Sequence, residues 1–140
     1  SKYSFVRTPC REQWGVLVRD DSELASKERV SPAELATVPL ILPERESIQN
    51  ELLNWFGPYA EGLRITATGN LLYNLASLAR ASGSCVLTLD LDCKYDGLRF
   101  IPLSPPLGSH TVLVWKKTQT FSAAATAMIE FSQTYISCIK

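Results

Sequence analysis

Leu63-Arg64-Ile65-Thr66-Ala67-Thr68-Gly69-Asn70, carried on through Gly83 to Cys85-Val86-Leu87-Thr88-Leu89, reads as strand, turn, helix, stop and strand. Between the two strands Leu71, Leu72, Leu75, Ala76, Leu78 and Ala79 recur at helical spacing, which predicts a helix with one broad apolar face. Gly83 follows the last periodic residue, where glycine enters a left-handed turn at little cost. Cys85–Leu89 is a short, nearly continuous apolar run, as expected of a strand buried on both faces. A strand–helix–strand unit of this kind implies a parallel sheet with a right-handed crossover. Ligands of open α/β sheets bind outside the carboxyl ends of the strands, where helices begin with unpaired N–H groups. Thr66, Thr68, Gly69 and Asn70 fall near one such end, and Thr88 with Asp90 near its neighbour.

Outward from this unit, the same pattern occurs upstream. Ser31-Pro32-Ala33-Glu34 is a helix start, with a serine cap, proline at the first position and an acid in the first turn. Leu40-Ile41-Leu42 is a buried strand, Pro43-Glu44-Arg45-Glu46-Ser47 a polar loop, and Ile48 to Phe56 a helix ending at Gly57-Pro58. Trp14-Gly15-Val16-Leu17-Val18 is a β-rich run closed by the turn Asp20-Asp21-Ser22. Beyond Leu89 a polar turn region leads to Leu98–Leu103, a strand near an edge because Pro102 cannot donate to a ladder. A strand at Thr111–Trp115 and a helix from about Ser122 to Ile136 follow. Ala124, Ala127, Met128, Phe131 and Tyr135 form a stripe on that helix that needs something to pack on. The middle thus reads as a complete α/β lobe, while the two ends offer too little sheet to bury their own apolar residues. Exposed apolar surface is expected there unless a second copy of the chain covers it.

The chain has 140 residues, enough for one domain with a proper core or for two small lobes. Fourteen basic residues balance fourteen acidic ones, and Lys116-Lys117 is the only basic doublet, which argues against a nucleic-acid-binding surface. No stretch approaches a membrane span, and no signal-peptide pattern opens the chain. A start at Ser1-Lys2-Tyr3, without methionine, predicts a piece of a longer protein. Cys10, Cys85, Cys93 and Cys138 are scattered without a C-x-x-C pair, which suits reduced thiols of a cytoplasmic protein; a Cys85–Cys93 redox pair is the alternative. With His110 as the sole histidine and no ligand-spaced cluster, neither a metal nor another cofactor is expected.

The order of these segments resembles the effector-binding, or substrate-binding, domain of LysR-type transcriptional regulators. The likeness rests on Trp14–Ala25 as strand, charged turn and Leu-Ala, and on Val30–Leu42 as helix, proline and apolar strand. It continues in the Gly69-Asn70-Leu71-Leu72 helix with Ser82-Gly83-Ser84 and in Phe100-Ile101-Pro102-Leu103, so that it runs from about Phe5 to Tyr135. It implies an α/β, periplasmic-binding-protein-like (type II) fold: a complete second lobe at 20–100, with 1–19 and 101–140 as crossing strands and remnant of the first lobe. A small-molecule effector, possibly a carboxylate, would bind in the cleft between lobes, and the chain would form a homo-oligomer. DNA would be contacted only through a helix-turn-helix domain absent from this chain, and no membrane is involved. Carried over residue by residue, the family's pocket falls on Pro43, Glu44, Arg45, Glu46, Ser47, Thr66, Thr68, Gly69, Asn70 and Thr88.

Several of these residues have a plainer reading. Thr66, Thr68 and Asn70 are ordinary helix-capping types, and Arg45 between two glutamates suits a solvated loop as well as a carboxylate clamp. Trp14, Trp55 and Trp115 suit core or lobe-interface anchors. His110 has no serine, cysteine or acid at motif spacing, and no nucleophile elbow or phosphate loop occurs, so an enzyme is not expected. A solute-binding domain of the same two-lobe architecture is the alternative to a regulator.

Overall fold

The computed structural model describes residues 1–139, which divide into two compact units. One is the continuous segment Gln13–Leu107; the other joins Ser1–Glu12 to the segment from Gly108 onward.

Strand β1 (Tyr3–Arg19) contributes its apolar second half to the larger unit. Helix α1 (Pro32–Leu35) follows, opened by a reciprocal cap in which the Ser31 hydroxyl accepts from Glu34 N–H and the Glu34 carboxylate accepts from Ser31 N–H. Next come β2 (Pro39–Pro43), α2 (Glu46–Phe56), β3 (Arg64–Gly69), α3 (Leu72–Ser82), β4 (Cys85–Leu89) and β5 (Leu98–Pro102). Gly83 ends α3 in the left-handed conformation at φ 76°, its N–H donating to Ala79 O. The sheet runs β3-β2-β4-β1-β5. Its first three strands are parallel, and β1 is antiparallel to both of its neighbours. The strands flanking α3 are therefore not adjacent; β2 lies between them.

Side chains alternate between two apolar layers, as the strand period of two requires. Val16, Val18, Leu40, Leu42, Cys85 and Leu87 join Leu35, Leu52 and Phe56 on the α1–α2 face. Leu17, Ile41 and Val86 meet Ala76 and Ala79 of α3 on the other. At Gly15 a Cβ would lie 2.2 Å from the Phe100 ring and 2.5 Å from Ile101 O, so β1 and β5 come together only because this residue has no side chain.

The larger unit includes residues on both sides of 20–100, because Val16 pairs with Leu87 on one side and Ile101 on the other. Helix α2 also starts two residues before Ile48, so Glu46 and Ser47 belong to its first turn and not to a loop.

In the smaller unit the first half of β1 pairs with β6 (Gly108–Lys116). Lys117 N–H donates to Lys2 O, Thr8 Oγ1 donates to Thr111 O at 3.0 Å, and Gly108 lies against Arg11, an antiparallel sequence of contacts. Helix α4 (Ala123–Cys138) is capped by Ser122, whose Oγ accepts from Ala125 N–H. Ala125, Ile129, Ser132 and Ile136 lie on its sheltered side. Met128, Phe131 and Tyr135 face outward, with Phe131 stacked on Tyr135 at 5.5 Å. Phe5, Val112 and Val114 are exposed on the strands. The smaller unit thus carries the uncovered apolar surface that its sequence predicts.

Candidate functional site

The parallel strands β2, β3 and β4 end together at Pro43, Gly69 and Leu89, and Pro43 lies in register with Gly69. Glu44 N–H donates to Gly69 O at 2.9 Å, and Gln49 Nε2 donates to Pro43 O at 2.7 Å, which ties the loop after β2 to its neighbours. Two helices begin here. Arg45 is the cap residue of α2 and Leu71 that of α3, and neither start carries a side-chain capping bond. Their first-turn N–H groups therefore lack side-chain acceptors at the caps.

A cavity of about 240 Å³ opens at these strand ends. Its polar wall consists of Glu44, Arg45, Asn70 and Thr88. Its apolar wall is larger: Ile48 from α2, Leu72 and Leu75 from α3, Leu87, Leu89 and Leu91 from the β4 end, and Trp14 from β1. The helical repeat explains Ile48, since it precedes the buried Leu52 and Phe56 by four and eight residues and shares their face. Thr88 is buried, and its hydroxyl donates to Leu89 O at 3.3 Å. Neither the Arg45 guanidinium nor the Asn70 amide has an ion pair or hydrogen bond to another side chain among the described residues. A Cβ on Gly69 would meet Leu75 Cδ2 at 2.7 Å, so glycine here sets how far that side chain reaches over the strand end.

Of the ten residues singled out in the sequence, Pro43, Glu44, Arg45, Gly69, Asn70 and Thr88 line this cavity. Glu46 and Ser47 stand in the first turn of α2 beside it, and Thr68 is exposed on β3; none of the three lines it. Thr66 is the extra residue of a β-bulge, since Leu40 pairs with Ile65 and Ile41 with Ala67. The bulge leaves the Thr66 hydroxyl donating to Leu40 O and 3.2 Å from Ser84 Oγ, beside Pro39 and Arg64 at the opposite ends of the strands. Asn70 is not the cap of α3; Leu71 is. The apolar wall is not legible in the sequence, because Leu72, Leu75, Leu87 and Trp14 carry the same periodicity as core residues.

The remaining chemistry is sparse. Among the described residues no group of histidine, cysteine and carboxylate side chains is placed to hold a metal ion. All four cysteines are free, and burial pushes the Cys85 thiol up to about 11. Among the described residues no helix is long and apolar enough to cross a membrane. Trp55 donates from Nε1 to Pro105 O at 2.7 Å, an anchor within the larger unit.

The LysR substrate binding domain family matches residues 5–136. The chain belongs to that family. No curated protein matches it in sequence. Among solved structures it is similar to HinK, a LysR family transcriptional regulator from Pseudomonas aeruginosa, at 16% identity and a TM-score of 0.74. That match covers 97% of this chain and 48% of HinK, so the chain spans about half the length of that regulator. The CcmR regulatory domain of Synechocystis PCC6803, solved with 2-PG, matches at 10% identity and a TM-score of 0.76, covering 98% of this chain and 68% of that one. The effector-binding domain of QuiR, solved with shikimate, matches at 16% identity and a TM-score of 0.70, covering 95% and 66%. These likenesses establish the fold: a LysR-type α/β domain of the periplasmic-binding-protein-like (type II) class.

Proposed function

We propose that this chain is the ligand-sensing part of a cytoplasmic LysR-type transcriptional regulator and that it is not an enzyme. A small-molecule effector occupies the cavity at the ends of β2, β3 and β4. The observation that carries this reading is the unpaired Arg45 guanidinium at the mouth of a cavity where two helices start. Guanidinium matches a carboxylate bidentately, and helix starts favour anions. That CcmR was solved with 2-PG and QuiR with shikimate supports a small effector here. In this reading 20–100 is the core of the second lobe, and the flanking segments belong to the first. DNA is bound by a helix-turn-helix domain outside this chain. Control of DNA binding then requires the effector to favour one conformation over another, not merely to bind tightly.

The exposed apolar residues of α4 and of the β1–β6 pair support self-association of the smaller unit. Binding is tested by a melting-temperature screen of small carboxylates against the native chain and Arg45→Ala. At least one carboxylate is expected to raise the native Tm, with the shift reduced at least by half in the variant. Equal shifts in both proteins would remove Arg45 from the site.

A further inference from the structure

Resting on the reading of this cavity as the effector site, we infer that its ligand is a monocarboxylate with a compact apolar ring or branched alkyl body, not a polyhydroxylated or multiply charged acid. The wall composition decides the body. Ile48, Leu72, Leu75, Leu87, Leu89 and Trp14 line it. The neutral hydrogen-bonding side chains are few: Asn70 and Thr88, and the Thr88 proton is already donated to Leu89 O. A ligand with several hydroxyls brings more donors and acceptors than these side chains can satisfy, and each one buried without a partner opposes binding. An apolar ring instead removes its own surface and that of the leucines from water.

Charge decides the head group. Arg45 is the one cation lining the cavity, and Glu44 lies next to it in the chain. One carboxylate is matched by Arg45. A second anionic group would find no further cationic side chain among the lining residues, only the partial charge of the helix starts, and would face the glutamate, a like-charge cost that grows as water is excluded.

The test uses a pair of probes that share a six-membered ring and one carboxylate and differ in ring hydroxyls: cyclohexanecarboxylate and quinate. Dissociation constants are measured by ligand-observed NMR on the full chain. Cyclohexanecarboxylate is expected to bind about tenfold tighter or better. Arg45→Gln should weaken both probes by a similar factor. Leu75→Asn and, separately, Leu72→Asn should shrink the ratio between them, with the native fold of each variant checked by circular dichroism. Quinate binding as well as or better than cyclohexanecarboxylate overturns the inference and leaves the sensing site standing. Failure of both probes to bind overturns the inference together with the carboxylate site at Arg45.

Discussion

The two units of this chain solve the burial problem to different degrees. In Gln13–Leu107 the inner strands, the second half of β1 with β2 and β4, are covered on both faces, and Phe56 retains only 1% of its surface. In the unit formed by Ser1–Glu12 and the segment from Gly108 onward, Phe131 is 63% exposed and Phe5 62%. Both are built from apolar residues at regular spacing; what differs is whether a second layer exists to receive them. Periodicity in a sequence therefore announces a face, and only topology supplies its cover.

The contrast can be broken by mutation. Phe56→Ala should cost about 3–5 kcal/mol in urea unfolding, the range for a fully buried aromatic. Phe131→Ala should change stability by no more than about 0.5 kcal/mol in dilute, monomeric protein. A large cost at Phe131 would mean that its face is covered in solution. Gly15→Ala is expected to destabilise by about 1–3 kcal/mol, because the added methyl meets the Phe100 ring and a backbone carbonyl. Phe131→Glu sharpens the same comparison in another measurement: sedimentation of the native chain should show association that rises with concentration, and the variant should shift it toward monomer. Monomer alone at high concentration in the native chain would count against self-association.

A small effect that depends on pH belongs to Glu34. Its carboxylate pairs with Lys27 at 2.6 Å and accepts from Ser31, which holds it down from 4.5 to about 2. Because the folded value lies below the unfolded one, its contribution is present above about pH 4.5 and is lost as pH falls toward about 2. The pair is partly exposed, so Glu34→Gln should cost less than about 1 kcal/mol at pH 7 and nothing additional at pH 2. Unfolding midpoints across that range check the sign.

Much of the larger unit was legible because local signals agreed: the Ser31–Glu34 cap, the Gly83 stop and the apolar runs at Leu40–Leu42 and Cys85–Leu89. The insertion of β2 between β3 and β4 was not, since strand order depends on contacts far apart in the chain. The first half of β1 is not legible as a strand, because Arg7, Pro9, Arg11 and Glu12 interrupt its apolar alternation, and an exposed strand is not obliged to keep one. At the cavity, chemistry-bearing types at strand ends could be read directly, as with Arg45 and Asn70. Thr66 could not be placed, because a bulge changes which way a residue points without changing the sequence pattern. Leucines that line a cavity and leucines that fill a core are the same residues until their neighbours are known.

The bulge at Thr66 has a consequence for the chain in a crowded cell. β3 is the last strand of its sheet, and a straight outer strand offers a ladder on which another chain can zip up. The extra residue interrupts that ladder at its midpoint, and Thr66 turns its hydroxyl inward to Leu40 O. A deletion that straightened β3 would be expected to yield a protein prone to fibre-like aggregation even where its fold and its cavity survived.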